Sequence, residues 1–181
     1  MRTTPKRQEQ GFTLVELMFT LVIAAVLLGT VVPGMARLME RNRIQTAADN
    51  LFTGLMLTRS EALKRNQSVV ICKSADGTAC ATGGGTEWHD GWLVYADADG
   101  DNAPDPNEIL RVTSSLRNGD TLYTSGSDFD DQVSYNVDGT ASGIGTFVVC
   151  NEAGDLNYSR EVAVSVTGRP KLNKSTIDCT P

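Results

Sequence analysis

Apolar residues run almost unbroken from Phe12 to Val32, FTLVELMFTLVIAAVLLGTVV. Glu16 is the only charge in these 21 residues, and the next is Arg37. A helix of that length, at about 1.5 Å per residue, is roughly 31 Å long and crosses one bilayer. Pro33 and Gly34 follow. Proline inside a helix loses a hydrogen bond and crowds the preceding turn, so a kink or local melting is expected near residues 29–34. Beyond it Ile44, Ala48, Leu51, Leu55 and Ala62 recur at three- to four-residue steps, with one gap at Thr58. Ala47, Phe52 and Leu63 widen the stripe, while Arg41, Asn42, Arg43, Asp49, Arg59, Glu61 and Lys64 lie largely off it. The pattern predicts an amphipathic helix ending near residues 64–66. The repeat is too short for a free coiled coil, so the stripe is expected against the chain's own globular part.

After Asn66 the period changes to short β-type runs at residues 68–72, 92–95, 108–112, 132–135, 146–150 and 161–166. Turns rich in glycine and aspartate separate them. One long helix followed by six or more strands predicts an α+β fold with an antiparallel, sandwich-like head.

Composition narrows the classes. The chain has 181 residues, 40% hydrophobic and 21% charged, which excludes a disordered tail, a collagen and a multi-span membrane protein. A net charge of −6 excludes a surface that is basic all over. The single histidine, His89, excludes multi-histidine metal sites. Ahead of the apolar run, Arg2, Lys6 and Arg7 outnumber Glu9. That basic leader predicts a cytoplasmic start and an exported remainder. The small residue Gly11 precedes the apolar run instead of following it, unlike an ordinary secretory signal. A cut there keeps the helix on the mature protein. The expected organisation is a leader at 1–11, a helix at 12–66 with its span at 12–32, and a β-rich periplasmic head at 67–181.

Gly11-Phe12-Thr13-Leu14-Val15-Glu16 resembles the class III signal of type IV pilins and pseudopilins, position for position. The resemblance implies that prepilin peptidase cuts after Gly11 and that the new amine of Phe12 is methylated. It also implies that Glu16 neutralises the N-terminal amine of a neighbouring subunit during assembly. Arg59-Ser60-Glu61-Ala62-Leu63-Lys64-Arg65, Gly91-Trp92-Leu93-Val94-Tyr95, the turn Asp97-Ala98-Asp99-Gly100-Asp101 and Gly168-Arg169 are similar to the GspH/FimT group. That group holds minor pilins of the FimT/FimU kind and minor pseudopilins of type II secretion. The implied protein is structural, not an enzyme, and has no cofactor. Its partners are major and minor pilins and the peptidase. It lies in the inner membrane as a single-pass protein with a periplasmic C-terminus, then in a pilus at the cell surface.

Cys72, Cys80, Cys150 and Cys179 all fall in the exported part. Three pairings are open, and an oxidising periplasm favours disulfides. Short spacing favours Cys72–Cys80, which leaves Cys150 with Cys179. A four-cysteine zinc site is the rival, without any Cys-x-x-Cys pair to support it. Asp97, Asp99, Asp101, Asp105 and Glu108 have the spacing of a calcium loop, but Asn102 stands where glycine is needed. A solvated turn whose aspartates cap backbone groups is the preferred expectation. His89 lacks the company of a nucleophile elbow, phosphate loop or metal-binding helix. Trp88 and Trp92 are expected as core anchors.

Arg169, Lys171 and Lys174 form a local basic patch that predicts a loop presenting three cations. Gly168-Arg169-Pro170-Lys171 resembles the Gly-Arg-x-Arg tail motif linked to DNA binding in some FimT-type pilins. It departs at Lys171, which lacks arginine's planar fork. DNA capture is therefore one alternative to a structural role in the pilus, and type II secretion is another.

Overall fold

The computed structural model describes residues 11–117, 119–126 and 128–179. Helix α1 runs from Leu14 to Arg65. It is helical throughout residues 29–34, so the local melting expected beside Pro33 is not found. One missing hydrogen bond is tolerated because the flanking turns keep theirs. The chain divides into a first compact unit ending at Met39 and a second from Glu40 onward. The second half of α1 thus belongs to the head.

In the first unit the apolar side chains are bare. Phe12, Leu14, Val15, Leu17, Met18, Phe19, Leu21 and Val22 are all more than half exposed. In the second unit Ile44, Ala47, Ala48, Leu51, Leu55 and Ala62 are buried in the core. Thr58 fills the gap in the stripe. It is fully buried, and its hydroxyl donates to the Gly54 carbonyl at 2.8 Å, so no polar group is stranded. Leu63 departs from the expected stripe and is 49% exposed.

Eight strands follow: β1 (Val69–Lys73), β2 (Gly91–Ala96), β3 (Ile109–Ser114), β4 (Thr121–Ser125), β5 (Gln132–Tyr135), β6 (Gly145–Cys150), β7 (Arg160–Val164) and β8 (Pro170–Lys174). They form two antiparallel four-stranded sheets, β3-β2-β1-β5 and β4-β6-β7-β8. The sheets and the α1 stripe share one core. Trp88 meets Phe147 edge-on, with ring centroids 4.9 Å apart, and Phe129 stacks on Phe147 at 5.3 Å. Trp88 and Trp92 are both fully buried, as core anchors are. A smaller cluster of Val70, Cys72, Leu93 and Tyr95, with Cys80 against it, occupies the other face of the first sheet.

Two strands go beyond the expected six. β4 brings only Leu122 fully into the core, and β8 has Leu172 as its one large aliphatic residue. Both are edge strands. β8 starts with proline and carries two lysines, which protect an edge from further pairing and also weaken the strand signal.

Candidate functional site

The N-terminal motif builds a capped helix start. Thr13 Oγ1 accepts a hydrogen bond from the Glu16 amide at 3.3 Å, and its carbonyl accepts from Leu17 N at 3.1 Å. Thr13-x-x-Glu16 thus has the spacing of a capping box, a signal the motif contains in plain sight. Glu16 in the first turn also suits the positive end of the helix dipole. Its carboxylate enters none of the ion pairs among the described residues. Gly11 is exposed, and a Cβ placed on it would meet no atom within 4 Å. Packing within the chain does not require glycine there. Residues 1–10 of the leader lie outside the described residues.

Both disulfides are intramolecular and join the pairs that spacing favours. Cys72–Cys80 closes a loop with a separation of 8, and Cys150–Cys179 holds the tail with a separation of 29. All four sulfurs are thereby used. Inside the first loop Asp76 Oδ1 accepts from the amides of Thr78 and Ala79, at 2.8 and 3.1 Å. These bonds hold the Asp76 carboxyl down at about 2. Beside the loop Lys73 is buried and its ammonium pairs with Glu87 at 3.3 Å and Asp131 at 3.2 Å.

The acidic turn joins β2 to β3, and strands flank it where a calcium loop has helices. Its carboxylates cap backbone groups. Asp97 accepts from Gly100 N, Asp99 from Asp101 N, and Asp101 from Ala103 N. Glu108 clamps both ends, accepting from Ala98 N at 2.8 Å and Asp105 N at 3.3 Å. Asn102 takes the left-handed conformation, φ 59°, that glycine supplies in a calcium loop. Asp97, Asp99 and Asp101 come together, with carboxylate oxygens within 4.8 Å of one another. Tyr95 is fully buried nearby. Burial, aided by Asp97, Asp101 and Glu108, pushes its phenol up to about 12.

The basic tail differs from the expected loop. Residues 170–174 are strand β8, paired with β7. Strand alternation then divides the cations. Arg169 and Lys171 line one shallow groove of about 380 Å³ with Ile144, Thr146 and Ala163. Lys174 falls on the other face with Pro170 and Leu172. The structure therefore brings two of the three predicted cations together. His89 lies half-buried in the short 3-10 turn Trp88–Asp90, beside a cavity of about 450 Å³ that Arg117 and Asp120 also line.

The Arg59 and Gly168 motifs have a shared structural role that sequence reasoning missed. Arg59 Nε donates to the Gly139 carbonyl at 2.9 Å and Nη2 to the Thr167 carbonyl at 3.3 Å. Gly168 has φ +72°, and a Cβ there would run into that same Gly139 carbonyl. The sequence signals are the position of Arg59 just off the helix stripe and the two motifs that contain Arg59 and Gly168.

An apolar helix with a prepilin-like start, joined to two antiparallel sheets, defines the pilin-like class. Within it the chain belongs to the GspH family: the family described as Type II transport protein GspH matches residues 47–168. The prokaryotic N-terminal methylation motif matches residues 6–32. Among solved structures, the type IV minor pilin FimU of Pseudomonas aeruginosa is 24% identical, with a TM-score of 0.59 over 78% of this chain and 96% of that one. The minor pseudopilin EpsH of the Vibrio cholerae type 2 secretion system is 13% identical, with a TM-score of 0.54 over 73% of this chain and 97% of that one. These likenesses show a common fold. Among curated proteins, none matches the chain at a significant level.

Proposed function

We propose that this chain is a minor pilin that enters, and helps to initiate, a type IV pilus after cleavage between Gly11 and Phe12. The observation that carries the reading is the bare apolar surface from Phe12 to Leu28, nearly all of it on α1, with one acid in the first turn that enters none of the ion pairs among the described residues. Lipid covers that surface before assembly, and neighbouring helices cover it afterwards. Glu16 then meets the methylated Phe12 amine of an adjacent subunit, each charge offsetting the other's burial. The peptidase, not the fold, demands glycine at position 11. Glu16→Leu tests the reading. The variant should insert and be cleaved normally, yet be depleted in sheared pili. Normal recovery there would overturn the role of Glu16, and a mature start other than Phe12 would overturn the cleavage site.

Two further readings share this frame. A pseudopilin of type II secretion uses the same helix, and deletion separates the two by loss of pili and twitching or loss of secretion. DNA capture rests on Arg169 and Lys171, the two cations on one groove. Two phosphate contacts give a log–log salt slope of about −2 in a gel shift.

A further inference from the structure

The head carries two sets of like charges that the same chain leaves unneutralised. Asp97, Asp99 and Asp101 crowd their carboxylates within 4.8 Å, and none of the ion pairs among the described residues includes them. Asp99 and Asp101 are exposed. Arg169 and Lys171 are likewise exposed, line one groove and enter none of those ion pairs. Crowded like charges disfavour one another, and a partner of opposite sign relieves both sets.

We infer that the Asp99–Asp101 turn of one copy seats in the Arg169/Lys171 groove of a second copy. The shapes agree. Gly100 gives the turn a tip without a side chain, and a Cβ there would meet nothing within 4 Å. The groove lining includes Ile144, 47% exposed, and Ala163 beside the two cations. Lys171 lies on β8 and Arg169 just before it, and both line the same groove, so two cations face one pair of carboxylates. The two patches belong to different sheets. The acidic turn leaves the first sheet and the groove lies on the second. A contact between unlike patches is head-to-tail and can recur from copy to copy, in a row or a closed ring. The inference concerns the head alone and does not rest on the pilus reading.

Oxidative cross-linking of the full chain in detergent micelles tests it. Asp99→Cys and Lys171→Cys variants, carrying different affinity tags, are mixed and oxidised. The native cysteines are all paired, so the added thiols react. The mixed Asp99→Cys/Lys171→Cys dimer should exceed either homodimer by about fivefold, the worth of the one surface pair, Asp101 with Arg169, that these variants keep. Adding Arg169→Glu to the Lys171→Cys chain should cancel that excess. Adding Asp101→Arg to the other chain should restore it, which a folding defect could not do. Dimers formed through the apolar helix are the internal reference. Equal yields of all three dimers, or a mixed dimer indifferent to charge reversal, would overturn the inference. So would DNA binding by Arg169 and Lys171 without a mixed dimer.

Discussion

The guanidinium of Arg59 donates to the carbonyl of Gly139 at 2.9 Å, the same oxygen that a side chain at residue 168 would strike. One helix residue thus fastens two turns, the one after β5 and the one between β7 and β8. Each sheet contributes one of them. Arg59 is half-buried, and its second bond, to Thr167 O, completes the clamp.

Gly168→Ala should therefore destabilise the head by about 2–4 kcal/mol, because both the backbone angle and the space are unsuitable. Arg59→Ala should cost about 1–3 kcal/mol by leaving carbonyls unpaired. The two effects should not add, since they share the Gly139 carbonyl. Chemical unfolding of single and double variants checks all three statements. A fully additive double variant would mean that Arg59 and Gly168 act separately.

The disulfides should rank by the length of chain they close. Replacing Cys150 and Cys179 by serine should cost about 3–4 kcal/mol, and replacing Cys72 and Cys80 about 2–3 kcal/mol. Thermal unfolding of the two double variants gives the order directly. A larger loss for the short loop would show that native contacts around Cys80, not chain entropy, dominate.

Much of this architecture is legible along the chain, and what escapes has physical reasons. The helix stripe and the strands β1, β2 and β6 have strong signals because a full stripe or both faces are buried, β5 alternates with one face buried, and the span shows as a long unbroken apolar run. β8 escapes because an edge strand turns in only the buried Pro170 and the half-buried Leu172, so Pro170, Lys171 and Lys174 read as a basic loop. That error carries into the site: three cations in a loop can all converge, whereas the strand leaves Lys171 and Lys174, an odd number of residues apart, on opposite faces. Thr58 looks like a defect in the stripe because its internal bond to Gly54 is invisible in a hydrophobic pattern. The Arg59 clamp depends on turns 80 and 108 residues away, a separation that local pattern cannot bridge.

Lys73 and its acids should respond asymmetrically to mutation. Glu87→Gln combined with Asp131→Asn leaves the buried ammonium without an ionised partner and should cost about 1–3 kcal/mol. The figure is below that of a fully buried pair because Glu87 is about half exposed. Lys73→Met removes the buried charge and leaves two acids that water can reach, so its cost should stay under about 1 kcal/mol. Equal losses in the two variants, measured by urea unfolding, would contradict this account.

Asp76 makes the disulfide loop sensitive to acid. Its carboxylate accepts first from Thr78 N and then from Ala79 N, and the folded carboxyl titrates at about 2, below the usual value of 3.8. A carboxyl depressed on folding binds its proton more readily in the unfolded chain. Its contribution is therefore complete above about pH 4 and is lost as pH falls toward 2. Protonation weakens the acceptor, so the Thr78 and Ala79 amides should exchange faster with solvent across that window. The Cys72–Cys80 bond keeps the loop ends together, so the change should stay local, without unfolding of β1. Asp76→Ala should show fast exchange at both amides at neutral pH and no acid transition in the loop. Amide exchange followed by NMR from pH 6 to 2 measures this. A midpoint at or above 4, or protection that persists in Asp76→Ala, would show that these amides are held by something other than the carboxylate.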